Sequence, residues 1–101
     1  MKVIIQDEHL GVLAENKPVG KSKFPVEVVK SFKKKLAIIK AAPNSNTLRA
    51  MGSLHFEKLE EKRYEGKHSI RLNQSYRMIC TLDKEESLEV LIIEEVSNHY
   101  K

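Results

Sequence analysis

The chain has 101 residues and a net charge of +4, room for one domain with one core and not for two. It holds no apolar run near the ~20 residues a membrane span needs, and its N-terminal block Val3-Ile4-Ile5 is too short for a secretory signal. One cysteine, Cys80, allows no intramolecular disulfide, and with four scattered histidines (His9, His55, His68, His99) it lacks zinc-ligand spacing, so the expected setting is a reducing cytoplasm, with no metal or cofactor.

Residues 2–6 read as a short strand. Residues 7–17 read as a weak helix carrying Leu10, Val12 and Leu13, ended by Pro18 and Gly20, and 18–23 is loop by composition. Pro25 suits the first turn of a helix, where its missing N–H is not needed. Val28, Val29, Phe32, Leu36 and Ile39 then form one apolar stripe on a helix reaching about Ala41. Lys30, Lys33, Lys34 and Lys40 project from its flanks and far side, and Pro43 stops it. Asn44 and Ser45 are suitable N-caps for a short helix through Thr47, Leu48 and Met51, with Gly52 as its end.

After Gly52 the period is that of strands, over 54–59, 67–73, 76–82 and 88–96. Asn73-Gln74-Ser75 and 83–86 supply turns. The last strand is apolar on both faces in its middle, which predicts neighbours on both sides. The order β-α-α-β-β-β-β is an α+β domain: two helices of the N-terminal half packed on a twisted, mostly antiparallel sheet.

Charge is unevenly placed. Eight lysines fall between Lys17 and Lys40 against the single acid Glu27, whereas 83–95 has six acids against Lys84. A segregated basic face is the footprint of a polyanion binder, although a solvated helix face has the same composition. The second predicted strand alternates so that Ser69, Arg71 and Asn73 share a face, and in the third Arg77, Ile79 and Thr81 do. Arg71 and Arg77 are thereby expected to be near neighbours across a hairpin. Two adjacent guanidinium groups repel each other unless an anion lies between them, which fits a phosphate site. Pairing of each arginine with one of the many glutamates fits the spacing as well.

His55 and His68 fall on predicted strands, packed or hydrogen-bonded. His99 follows the last strand as a possible acid or base, or simply as a solvated residue. Tyr76 is expected in the core, and Tyr64 and Tyr100 are free to stack on bases. No nucleophile elbow, phosphate-binding glycine loop or magnesium-binding carboxylate cluster is present. The chemistry open to Arg, Lys, His and Tyr alone is RNA cleavage, in which the 2′-hydroxyl of the substrate is the nucleophile, a side chain takes its proton and cations stabilise the pentacoordinate phosphate.

At this point the residues resemble a known family. The pieces 35–42, Leu48-Arg49, 54–59 and 66–80, with the closing 94–99, are similar to the HigB-type toxins of bacterial toxin–antitoxin pairs, members of the RelE superfamily. The most specific part is Ser69-Ile70-Arg71 followed by Arg77 and the trailing His99. The resemblance implies a RelE-like fold and a small ribosome-dependent endoribonuclease that cuts mRNA in the ribosomal A site. It implies neutralisation by a HigA-like antitoxin, a helix-turn-helix DNA-binding protein. Arg71 and Arg77 would contact the scissile phosphate and His99 would contribute beside them. Lys62 or Arg63 would take the place of a lysine common before the hairpin, in a segment about two residues longer than usual. Lys30, Lys33, Lys34 and Lys35 would dock on ribosomal RNA, with Arg63 and Tyr100 as further RNA contacts. Two departures stand out: Ser97-Asn98-His99-Tyr100 replaces the usual Asp-Tyr-His ending, and His68 stands where an aromatic residue is usual. ParE-like toxins of the same superfamily, which inhibit DNA gyrase without cleaving anything, are the alternative, and a general RNA-binding module is a third reading.

Overall fold

A computed structural model describes residues 1–15 and 23–98. The chain runs β1 (Lys2–Ile5), α1 (Glu8–Ala14), α2 (Val26–Ala41), α3 (Ser45–Ala50), β2 (Glu57–Lys58), β3 (His68–Arg71), β4 (Tyr76–Glu85) and β5 (Leu88–Asn98). The sheet order is β1-β5-β4-β3-β2. β1 lies parallel to β5 and every other pair is antiparallel. β5 therefore has a neighbour on each side, as its two apolar faces predict.

Capping follows the sequence closely. Asp7 accepts a hydrogen bond from the Leu10 N–H at 2.9 Å, and Asn44 accepts one from Thr47 at 3.1 Å, each satisfying an orphan donor of a first turn. α2 starts directly after Pro25 and stops at Ala42, whose extended backbone is what Pro43 demands of the residue before it. α1 ends at Ala14, short of the expected Lys17. The loop expected over 18–23 lies outside the described residues as far as residue 22.

The stripe Val28, Phe32, Leu36 and Ile39 is buried against Ile70, Met78, Cys80, Leu91 and Ile93. Each such side chain, fully buried, is worth about 1.5–3 kcal/mol of transfer free energy. A second, smaller cluster on the opposite face of the sheet joins Leu59, Tyr64 and Ile79. Two polar links tie α2 to the end of β3. Ser31 Oγ donates to the Leu72 carbonyl at 2.7 Å, and Lys35 Nζ donates to the Arg71 carbonyl.

The helices number three, α1 to α3, and not the two of the order β-α-α-β-β-β-β, and two further elements differ from the sequence reading. The strand expected over 54–59 is mostly absent. A tight helical turn at Gly52–Leu54 closes through Leu54 N–H to Met51 O and His55 N–H to Gly52 O. His55 then takes a left-handed conformation, φ 45°, and only Glu57–Lys58 pair with β3. The alternation of buried Leu54 and Phe56 is real, but it arises from a turn that folds both onto the core. The second difference is the 83–86 turn. β4 and β5 stay paired out to Glu85 and Leu88, leaving Glu86 and Ser87 as the turn with Glu86 at φ 56°. Charged side chains at a protruding hairpin tip resemble a loop in composition while their backbones remain in the ladder.

Candidate functional site

The β3–β4 hairpin is held rigid by its own turn. Asn73 Oδ1 accepts from the Ser75 and Tyr76 N–H groups, both at 2.8 Å, and the Leu72 N–H donates to the Tyr76 carbonyl at 2.9 Å. This Asx arrangement sets the register in which Arg71 lies directly opposite Arg77. Like charges in directly opposed positions destabilise a strand pair, so the two guanidinium groups are held together by the fold and not by mutual attraction.

They line a shallow cleft with His55, Glu57, Asn73 and Gln74, of about 80 Å³. Drug-sized ligand pockets are several times larger, roughly 300–1,000 Å³, so the space suits a single phosphate-sized group at the edge of a longer ligand. The arginines differ in environment. Arg71 is exposed, has no carboxylate within ion-pair distance among the described residues, and lies 3.4 Å through Nη1 from His55 Nε2. Arg77 is mostly covered: Nη2 donates to Glu61 Oε1 at 2.8 Å, its guanidinium lies over the Tyr64 ring at 5.5 Å, and Nε is buried without a partner. The hydrogen bond from Arg77 is the main reason the Glu61 carboxyl is held below the usual carboxylate range, and Arg63 adds to it.

Lys35 also belongs to this neighbourhood. Its bond to the Arg71 carbonyl sets it beside the pair, and burial, followed by the charges of Arg71 and Lys34, lowers its pKa. Of the other lysines expected to bind RNA, Lys30 and Lys34 are exposed on α2, and Lys33 is half-buried beside Ala14 and Leu36. Lys62 and Arg63 sit on a tight turn, Lys62–Tyr64. Lys62 lines a separate hollow with Lys58 and Glu65 and not the arginine cleft. Arg63 pairs with Glu61 at 3.5 Å and covers the Tyr64 ring at 4.6 Å. His99 and Tyr100 lie outside the described residues.

Tyr64 corrects an expectation. It is buried beneath Arg63 and Arg77, and its hydroxyl donates to Glu95 at 3.2 Å, so its ring face is already taken and cannot stack on a base. His55 is the residue that sequence reasoning missed. Read as one member of a strand, it is instead placed by the left-handed turn at the mouth of the cleft. The one available signal was Gly52 just upstream, read as a helix end. Cys80 is buried, which pushes its thiol pKa up to about 12, so it does not serve as a nucleophile. Among the described residues no three His, Cys, Asp or Glu side chains converge.

His68 stacks on Phe56 with ring centroids 4.8 Å apart and an interplanar angle of 9°, filling with an imidazole the place where the family resemblance calls for an aromatic ring. Burial, then the charges of Arg49 and Lys58, lower its pKa below 6.5. The folded protein thus binds this proton less readily than the unfolded chain. Its contribution to stability is complete above the ordinary histidine value and is lost as pH falls below it. The wild-type melting temperature is expected to fall more steeply between about pH 7.5 and about pH 5.5 than that of His68→Phe, which keeps the stack and removes the titration. Parallel pH profiles of thermal unfolding would show that His68 does not titrate in this way.

Comparison with known proteins gives these features a context. No curated protein sequence matches the chain. Among solved structures, a YoeB/ParE toxin from Agrobacterium tumefaciens has a similar fold, with a TM-score of 0.58 and 16% sequence identity, covering 99% of this chain and 100% of that one. The profile of the HigB-like toxin family, described as the RelE-like toxin of the type II toxin-antitoxin system HigB, matches residues 6–93. The α+β arrangement of helices on a five-stranded mixed sheet and the match over most of the sequence lead to one conclusion: this chain belongs to the HigB-like family of RelE-like toxins.

Proposed function

We propose that this toxin is an endoribonuclease that cuts mRNA on the ribosome and so arrests translation in the cytoplasm, where its antitoxin partner is a HigA-like, helix-turn-helix protein. The observation that carries the reading is the directly opposed Arg71–Arg77 pair, with Arg71 free of any carboxylate among the described residues and His55 at 3.4 Å. Such a pair is complementary to a phosphate and gains most as charge builds on the pentacoordinate phosphorus.

The 2′-oxygen of the upstream ribose attacks phosphorus while an imidazole takes its proton, and His55 is the imidazole at the cleft. The P–O5′ bond breaks, a 2′,3′-cyclic phosphate remains, and the leaving 5′-oxygen takes up a proton, the role left for His99, since Lys62 lies in a separate hollow. Arg71 and Arg77 neutralise the non-bridging oxygens. Lys35, next to Arg71, adds positive potential. Exposed Lys30 and Lys34, with Lys33, Arg63 and Tyr100, extend the contact to ribosomal RNA and mRNA.

Expression without the antitoxin is expected to arrest growth, and purified toxin is expected to cut a ribosome-programmed mRNA, leaving 2′,3′-cyclic phosphate and 5′-hydroxyl ends. A 5′-phosphate end would contradict attack by the 2′-hydroxyl. The description of the structural neighbour as YoeB/ParE motivates the second reading, inhibition of DNA gyrase. Growth arrest with intact mRNA and trapped gyrase–DNA complexes would favour it.

A further inference from the structure

Arg77 and Arg71 are equivalent in register but not in what they touch. A guanidinium has five N–H donors. In Arg77 the Nε–H is buried with no partner, the ring of Tyr64 lies under one face, and Glu61 occupies Nη2. The side chain is 11% exposed, so few N–H groups remain for an incoming anion. Glu61, in contrast, is 42% exposed and sits on an exposed stretch of the 59–66 loop. Its second oxygen is also directed at a cation, Arg63 Nε, at 3.5 Å.

We propose that Glu61 is an internal stand-in for the RNA phosphate: its carboxylate neutralises Arg77 in the RNA-free toxin and is displaced when a phosphate reaches the arginine pair. This rests on the reading that the pair binds phosphate. The physical need is clear from the register, because two opposed guanidinium groups without an anion repel each other. A carboxylate on a solvent-exposed loop offsets that repulsion at one arginine and leaves the other free. Arg71 then makes the first contact with the substrate, and Arg77 joins once Glu61 swings out. Glu61 thereby weakens RNA binding and stabilises the free protein, a combination that a purely structural salt bridge does not give.

The test uses the full chain and a labelled single-stranded oligodeoxyribonucleotide, which carries phosphates but no 2′-hydroxyl and so is not cleaved. Glu61→Gln is expected to bind it roughly two- to fivefold more tightly than wild type, the fold-change that corresponds to losing a competing, partly exposed ion pair. Glu60→Gln removes the same charge from the neighbouring position and is expected to change affinity by less than about 1.5-fold, because the carboxylate that pairs with Arg77 is that of Glu61. The melting temperature of Glu61→Gln is expected to fall slightly, showing that the variant is folded and that the pair was formed. Equal gains in both variants, or weaker binding by Glu61→Gln, overturn the role of Glu61 and leave the arginine site standing. Wild-type affinity that Arg71→Ala does not reduce overturns both, since the pair then meets no phosphate.

Discussion

Arg71→Ala is expected to lower the rate of ribosome-dependent mRNA cleavage by roughly 10²–10³-fold, the cost of removing one donor that stabilises developing charge at a reacting centre. The variant is expected to fold as well as wild type. Arg71 is exposed and its side chain meets His55, so its loss falls in the class of surface substitutions that change stability by about 0.5 kcal/mol or less. Relief of the repulsion with Arg77 acts in the stabilising direction. Arg71→Lys keeps the charge and loses the two-pronged geometry, and an intermediate rate is expected. Arg77→Ala is expected to lose activity to a similar degree but also to lose stability, because the contacts with Glu61 and the Tyr64 ring go with it. Cleavage rates and melting temperatures measured on the same preparations separate these effects. Full activity in either alanine variant would remove the arginine pair from the mechanism.

Phe32→Ala is expected to destabilise the protein by about 3–5 kcal/mol, from lost burial plus an unfilled cavity. Phe32 is 1% exposed and lies among the largest buried side chains, at the seam between α2 and the sheet. Against a total of about 5–15 kcal/mol for a domain of this kind, that is enough to leave a large unfolded fraction. At roughly 4–8 °C per kcal/mol for a domain near this size, the melting temperature is expected to drop by more than about 10 °C. Phe32→Leu refills most of the volume and is expected to cost about half as much or less. Chemical denaturation read by circular dichroism checks both, and a loss below about 1 kcal/mol in Phe32→Ala would mean that this seam does not hold the layers together. The consequence reaches the cleft, because α2 also carries Ser31 and Lys35, whose bonds to the Leu72 and Arg71 carbonyls fix the end of β3.

α2 was legible because four buried positions repeat with the helical period and prolines bracket them. The meeting of Arg71 and Arg77 was legible because strand side chains alternate and Asn73 builds its own turn. Both signals are local, written within a few residues of chain. The strand expected over 54–59 failed because apolar alternation does not distinguish a strand from a turn that buries the same residues. The hairpin tip at 83–86 failed because charge composition marks exposure and not backbone pairing.

By itself, the amino-acid sequence determined the α+β class, the apolar face of α2, the rigid hairpin and the two arginines opposed upon it, all from periodicity and turn chemistry. Only the tertiary structure decided which groups those arginines meet. His55 reaches the cleft through a left-handed turn, Glu61 reaches Arg77 across 16 residues of chain, and Lys35 reaches Arg71 across 36. Tyr64, exposed by expectation, is buried beneath Arg63 and Arg77. The parallel pairing of β1 with β5 likewise joins the two ends of the chain. Contacts of this kind leave no period in the sequence, because they depend on how separate elements pack and not on the repeat within any one of them.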